Sequence, residues 1–172
     1  MKENMLFLMV FLMVYGAFAA PQREETIFIR NYSSQNIIIT REYQDEPSKI
    51  FSASEARNWI QIVHGINLTI TDIHINRSEI VVRPNQMITI LSYVPFGSID
   101  IFERLAQIPF LNIMRGIYKS FKIITDDGRT IIDLENIEEQ NIRKNVPHDG
   151  IGIEYIIEIF DYDIEGRPAS EW

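Results

Sequence analysis

The sequence predicts a mainly β fold: a β-sandwich of about eight strands with a short helical insertion, or alternatively a small closed β-barrel. Three observations lead to this fold class. Isoleucine dominates the apolar residues, and β-branched side chains favour strands over helices. Apolar and polar residues alternate with a period of two in one segment after another. A single stretch, residues 98–119, instead repeats its apolar residues at intervals of three and four.

Residues 1–19 have the features of a secretory signal peptide. Lys2 supplies a minimal positive charge, the run Met5–Val14 is apolar without interruption, and Ala17-Phe18-Ala19 is the small-x-small pattern that precedes a cleavage site. The apolar run is shorter than the roughly 20 residues that a membrane-spanning helix needs. We therefore expect an exported chain with no integral membrane span after cleavage. The alternative is a leader that stays attached as an anchor.

The remainder, residues 20–172, has the size of one domain, and we expect its tail to fray from about residue 165. The chain carries a formal net charge of -8, and an acidic domain repels phosphate backbones, which argues against nucleic acid as a partner. It contains no cysteine, which excludes disulfides, thiolate metal sites and cysteine nucleophiles. The lack of disulfides in an exported chain favours a bacterial periplasm or cell surface over eukaryotic secretion.

The first two strands are predicted on either side of a short turn. In Thr26–Asn31, the residues Ile27 and Ile29 share one face, as expected for a half-buried strand. The four residues Tyr32–Gln35 then form a turn into a second strand at Ile37–Tyr43.

The segment Trp59–Thr71 is predicted to be one long strand, or two strands bent at its glycine, because its even positions are apolar and its odd positions mostly polar. A hairpin that turns at His64-Gly65 is disfavoured, since it would place Ile62 opposite Asn67 and mix the two faces. The alternation reverses beyond this segment, which indicates a bulge or a change of sheet near Asp72.

Two further pairs of strands are predicted. Glu79–Arg83 and Met87–Ser92 are separated by the turn residues Pro84-Asn85-Gln86. Ser120–Leu134 is predicted to form a hairpin with a two-residue type I′ turn at Asp127-Gly128. That register pairs like residues or opposite charges across the two strands.

The last strand and two helical stretches complete the prediction. Ile151–Ile159 alternates apolar and polar residues and is predicted to be a strand. The insertion Ser98–Lys119 is predicted to form two short helices, with Ser98 as a cap and Pro109 as the first residue of the second helix. A weaker helical pattern covers Ile137–Lys144.

The helical insertion supplies the first candidate binding residues, Phe102, Phe110 and Met114. These side chains would either cap a barrel mouth over an apolar ligand or be presented to a partner protein. The competing interpretation is that the insertion closes one end of the sandwich and that its apolar residues belong to the core. We favour burial, since large exposed apolar groups promote aggregation.

The second candidate set is Asp72, His74 and Asn76. At a spacing of two, these side chains would point the same way from an extended strand, within reach of one ion or one sugar hydroxyl. The competing interpretation is a solvated strand face with an incidental histidine. No second histidine lies at metal-ligand spacing, so neither a metal site nor a cofactor is predicted. No catalytic residue is predicted either, because the chain has no Gly-x-Ser-x-Gly motif and no phosphate-binding glycine loop.

These observations favour an exported, non-enzymatic binding or interaction module of the cell envelope, whose partner is a protein or a small apolar ligand. The alternative is a carrier that holds a lipid-like ligand in a β-barrel capped by the 98–119 insertion, and a hydrolase is the third possibility. A carrier needs a cavity of several hundred Å³, whereas an enzyme needs a cleft with convergent titratable groups.

Overall fold

The computed structural model describes residues 24–44, 57–75, 77–97, 99–138, 142–146 and 152–165. Across these ranges there are ten strands and three short helices. The strands are β1 (Glu24–Asn31), β2 (Ile37–Tyr43), β3 (Arg57–Val63), β4 (Ile66–Asp72), β5 (Glu79–Val82), β6 (Met87–Pro95), β7 (Tyr118–Thr125), β8 (Thr130–Asp133), β9 (Ile142–Asn145) and β10 (Gly152–Ile159). The helices are α1 (Ile99–Ala106), α2 (Phe110–Ile117) and α3 (Asp161–Glu165).

The strands form two sheets that pack as a sandwich. The six-stranded sheet has the order β3-β4-β6-β1-β10-β9, and the four-stranded sheet has the order β5-β2-β7-β8. Within the described ranges neither sheet closes into a barrel, so the predicted β-sandwich is confirmed and the barrel alternative is wrong. Ten strands form instead of about eight. The segment predicted as one strand contains both β3 and β4, and β9 lies where a helix was predicted.

The core lies between the sheets, and the period-two alternation decides which residues enter it. Ile27 and Ile29 of β1 are fully buried, and so are Ile157 and Ile159 of β10. Burial of one such side chain stabilises the fold by roughly 1.5–3 kcal/mol. β1 lies inside its sheet, antiparallel to β6 and parallel to β10. The strands predicted from the two ends of the domain are therefore hydrogen-bonded neighbours.

Two of the predicted turns connect the sheets rather than neighbouring strands of one sheet. β1 and β2 lie in different sheets, and so do β5 and β6. The pairing expected between the strands at Glu79–Arg83 and Met87–Ser92 is therefore wrong, since β5 pairs with β2 while β6 pairs with β1 and β4. β4 and β5 also belong to different sheets, which confirms the change of sheet predicted near Asp72.

The prediction of one strand running through His64-Gly65 is wrong. β3 and β4 form a hairpin in which Gln61 lies opposite Leu68 and Ile62 opposite Asn67. Both turn residues have positive φ, 50° at His64 and 74° at Gly65, as a type I′ turn requires. The residues of β3 that face the core are Trp59, Gln61 and Val63, whereas Ile60 and Ile62 are exposed.

Hydrogen bonds of Gln61 explain why a polar residue can face the core in this register. Its Nε2 donates to the carbonyl oxygen of Gly116 at 2.7 Å, and its Oε1 accepts from Nε1 of Trp59 at 3.3 Å. At Gly116, a Cβ atom would come within 2.4 Å of Cγ1 of Val63. α2 therefore packs directly against β3, and the buried amide of Gln61 is satisfied on both sides.

The hairpin predicted around Asp127-Gly128 forms, but its turn differs from the prediction. Two pairs have the predicted partners, Lys122 with Asp133 and Ile123 with Ile132. Nearer the turn a bulge shifts the register. The N–H of Gly128 donates to the carbonyl of Thr125 at 2.9 Å, and Gly128 has a φ of 84° while Asp127 does not have positive φ. This is a type I turn with a G1 bulge rather than a type I′ turn.

The insertion forms two helices as predicted, with Pro109 as the N-cap of α2 rather than its first residue. The helix predicted over Ile137–Lys144 is wrong in its described part, because Ile142–Asn145 form β9 and pair with β10. Pairing with a neighbouring strand outweighs a weak helical periodicity there. α3 was not predicted; the carboxylate of Asp163 caps it by accepting from the N–H of Phe160 at 2.8 Å.

Some predictions fall on residues outside the described ranges. They are the signal peptide at 1–19, the cap at Ser98 and the frayed tail beyond Glu165. In the part of the chain that is described, no helix is long and apolar enough to cross a membrane.

Candidate functional site

The helical insertion is anchored in the core. On α2, Phe110, Ile113 and Met114 are buried, and on α1 Leu105 is 4% exposed. These positions follow the spacing of three and four that the sequence shows, because one face of each helix packs on the sandwich. The burial agrees with the interpretation of the insertion as part of the core rather than as a mobile lid.

A surface cleft of about 320 Å³ opens where the corner between α1 and α2 meets β9 and β10. We call it the corner cleft. Phe110 stacks on Tyr155 of β10, with ring centroids 4.1 Å apart. Lys144 of β9 lies opposite Tyr155 in the strand register, and its ammonium is 5.9 Å from the centroid of the Tyr155 ring. The lining also includes Gln107, Ile108 and Ile142.

The corner cleft combines apolar and polar groups, and its exposed lining is more polar than apolar. The rings of Phe110 and Tyr155 and the side chains of Ile108 and Ile142 form the apolar part. Lys144 adds a positive charge and amide hydrogen-bonding groups come from Gln107. Ligand sites usually combine apolar surface with a few polar groups; the corner cleft contains both kinds of group, and its volume lies at the small end of the usual range of about 300–1,000 Å³. The cleft therefore suits a small ligand with an apolar body and an anionic group.

The structure separates the three candidate residues of the insertion. Phe110 lines the corner cleft. Met114 is fully buried in the core and does not line the cleft. Phe102 is a residue of α1, and its side chain is not among those that the structure describes.

A buried polar cluster lies inside the sandwich, around Arg41 of β2 and Asp72 of β4. The side chain of Arg41 is 1% exposed and that of Asp72 is 0% exposed, and Nη2 of Arg41 lies 2.9 Å from Oδ2 of Asp72. The N–H of His74 donates to Oδ1 of Asp72 at 2.6 Å. Nε and Nη1 of Arg41 and the hydroxyls of Tyr43 and Tyr118 are buried, and they have no hydrogen-bond partner among the described residues. This ion pair links the two sheets of the sandwich.

Burial dominates the ionisation of this cluster. It raises the pKa of Asp72 from 3.8 to about 6, and the attraction of the Arg41 guanidinium offsets only part of that effect. Burial also lowers the pKa of the His74 imidazole, and the positive charges of Arg41 and Arg77 lower it further. Both shifts favour the neutral form of the side chain, as expected in a poorly solvated site.

The expected alignment of Asp72, His74 and Asn76 on one strand is wrong for the two described residues. β4 ends at Asp72, whose carboxylate points into the sandwich, and His74 lies in the turn that follows. Asn76 is outside the described residues. A ligand in solvent cannot reach the buried carboxylate. In the described ranges no three histidine, aspartate or glutamate side chains come together as a metal site.

A second buried pair joins β1 to β6. The hydroxyl of Tyr93 donates to Oε2 of Glu25 at 2.8 Å, and both residues are buried. Burial and the nearby Glu25 carboxylate raise the pKa of Tyr93 well above its ordinary value of 10.0, so the phenol stays protonated and keeps donating.

The sequence interpretation missed both clusters and most of the cleft. Glu25 and Arg41 carry a usable signal, because each occupies the same parity as the buried isoleucines of its strand. Lys144 carries no such signal, since it lies in a segment with a helical pattern. Gln107 and Tyr155 are far apart in sequence, and the stacking of Phe110 on Tyr155 brings the corner between α1 and α2 against β10.

No protein-family model matches this chain, and no curated protein matches it significantly. Function is therefore inferred from the geometry of the corner cleft and from the sequence.

Proposed function

We propose that this protein is an exported, non-enzymatic binding module. Its ligand is a small molecule with an apolar body and an anionic group, held in the corner cleft. The observation that carries the proposal is the cleft itself, where the stacked rings of Phe110 and Tyr155 lie beside the ammonium of Lys144. An apolar body would pack on these rings, and the anionic group would pair with the ammonium.

The distribution of titratable groups supports a binding role over hydrolysis. Hydrolysis by an acid and a base needs two titratable groups that converge on one substrate. The groups whose pKa values burial raises, Asp72, Tyr93 and Tyr118, lie inside the sandwich, where a substrate has no access. The described lining of the corner cleft has no carboxylate and no histidine.

The carrier alternative required a closed β-barrel, which the two described sheets do not form. Inward residues from both sheets, among them Ile39, Leu68 and Tyr93, are fully buried and fill the space between the sheets. A long lipid chain would have to displace this core. A cleft of about 320 Å³ accepts a shorter ligand without such a rearrangement.

Export remains part of the proposal and rests on the leader. The apolar run and Ala17-Phe18-Ala19 favour cleavage after Ala19. N-terminal sequencing of protein recovered from the exported fraction should begin at Ala20. A soluble cytosolic pool that retains Met1 would contradict export.

Calorimetric titration with octanoate and with 3-phenylpropanoate tests the binding site. We expect saturable binding that Lys144→Glu abolishes, because the anionic group would then face a carboxylate, and that Ile108→Trp abolishes by filling the cleft. The matched control is Lys122→Glu, the same charge change at an exposed position on β7. Equal binding by the wild type and both cleft variants would exclude the corner cleft as the site. No binding of either probe by the wild type would contradict the proposed ligand class.

A further inference from the structure

The four edge strands of the sandwich differ in how they are protected against pairing with another chain. β5, β8 and β9 are each four residues long, and each includes a charged residue: Glu79, Asp133, and Arg143 with Lys144. Short length and charge are the usual features that prevent edge-to-edge association. β3 is longer, with seven residues, and its charged residue, Arg57, is the first one, so the six residues from Asn58 to Val63 are uncharged.

The backbone of β3 has its free hydrogen-bonding groups at three regularly spaced positions. The hairpin closes with Val63 opposite Ile66, which is a hydrogen-bonded pair. Alternate residues of β3 therefore bond to β4, and the intervening Asn58, Ile60 and Ile62 direct their N–H and C=O groups away from it. Within the described ranges no strand pairs with this edge.

Large apolar side chains accompany these free backbone groups. Ile60 is 67% exposed and Ile62 is 70% exposed, both on the outer face of the sheet. The outer face continues across β4 to Val94 and to Phe96, which is 66% exposed and donates its N–H to Asn67 at 2.8 Å. The polar Asn67 and Thr69 of β4 lie between these residues and the isoleucines, so the exposed apolar surface beside the free backbone groups of β3 is that of Ile60 and Ile62.

We propose that β3 pairs with β3 of a second copy of this chain, so that two six-stranded sheets join into one across a two-fold axis. Asn58, Ile60 and Ile62 each offer one donor and one acceptor, and an antiparallel copy offers the same set in the reverse order. The edge is therefore complementary to itself, as an isologous interface must be. Cross-strand contacts between the isoleucines of the two copies add to the backbone hydrogen bonds.

Charge directs a second copy to this edge rather than to other parts of the surface. Two molecules that each carry a formal charge of -8 repel one another over most of their surfaces. The outward positions of β3 are neutral, so the approach there brings no like charges into direct contact. The row of free N–H and C=O groups along β3 makes pairing at this neutral edge specific for another strand.

Light scattering coupled to gel filtration, over a wide range of concentrations of the purified protein, tests this pairing. We expect the mass of a dimer at high concentration. Ile62→Lys should weaken dimerisation roughly 100-fold or more, because each copy then places a charged lysine on the paired edge, opposite Asn58 of the other copy. Val81→Lys is the matched control: Val81 is 53% exposed on the β5 edge, and its substitution should leave the dimer intact. Circular dichroism should show that both variants are folded.

Three results would overturn the proposal. The first is a wild-type protein that stays monomeric at every concentration. The second is a monomer that Ile62→Lys destabilises, which would mean that another part of the same chain covers the β3 edge. The third is a dimer that resists Ile62→Lys but is lost on Phe96→Lys, since Phe96 lies beyond the edge and contacts a partner only if whole sheet faces stack.

Discussion

The buried carboxylate of Asp72 gives the sharpest prediction about stability. Its pKa rises from 3.8 to about 6 on folding, because burial outweighs the attraction of Arg41. At 1.36 kcal/mol per pH unit, this difference corresponds to about 3 kcal/mol. The folded state binds the proton more tightly than the unfolded state. The contribution of this group to stability is therefore fully present below pH 3.8 and is lost as the pH rises through about 6.

Denaturant titration of the wild type and of Asp72→Asn, repeated between about pH 4 and about pH 7.5, measures this effect. Asparagine does not titrate. The contributions of the other titratable groups therefore cancel when the unfolding free energy of the variant is subtracted from that of the wild type. We expect the advantage of the wild type over the variant to fall by up to about 3 kcal/mol across this range. Because the imidazole of His74 lies close by and burial lowers its pKa, the comparison should be repeated in a His74→Gln background.

Asp127→Asn provides a control of opposite sign. Asp127 is exposed, and the hydroxyl of Thr125 and the N–H of Arg129 lower its pKa. The advantage of the wild type over that variant should grow as the pH rises from acid. If the difference for Asp72 instead stays flat or grows with pH, the attraction of Arg41 outweighs burial and our account of the cluster is refuted.

Three further substitutions test the packing that positions the corner cleft, each by the denaturant midpoint. Ile113→Ala should destabilise the fold by about 2–5 kcal/mol, because Ile113 is 1% exposed; a loss below about 1 kcal/mol would show that α2 is not part of the core. Gly116→Ala should cost about 1–3 kcal/mol, since its Cβ would lie 2.4 Å from Cγ1 of Val63; an unchanged midpoint would mean that α2 and β3 are not in direct contact. Gly128→Val should cost about 1–2 kcal/mol, because its φ of 84° disfavours a β-branched residue. An unaltered midpoint would exclude the G1 bulge.

The sequence predicts most strands correctly because alternation and burial agree in them. In β1 the alternating Ile27 and Ile29 face the core, and in β10 every second residue from Ile153 to Ile159 is apolar and buried. The rule fails in β3, where it assigns Ile60 and Ile62 to the core. The glutamine between them faces inward instead, since α2 offers it a carbonyl at Gly116. Nothing in the alternation reveals a hydrogen-bond partner that is 55 residues away.

The candidate site is less predictable, because it also depends on contacts between residues that are far apart in sequence. The periodicity of the insertion marks Phe110 and Met114 as apolar-face residues, but it does not say which of them reaches the surface. Phe110 stacks on Tyr155 of β10 and reaches the corner cleft, whereas Met114 is enclosed in the core. Lys144 joins the cleft only because its segment pairs with β10 as a strand, against its own helical pattern.

An NMR titration of the labelled protein with 3-phenylpropanoate, following the backbone amide signals, tests whether the corner cleft binds the proposed ligand. The account predicts saturable shifts concentrated at Gln107, Ile108, Lys144 and Tyr155, with the signals of the β3 edge unchanged. Shifts that cluster at β3 and spare the cleft, or no saturable shift at all, would contradict the corner cleft as the binding site.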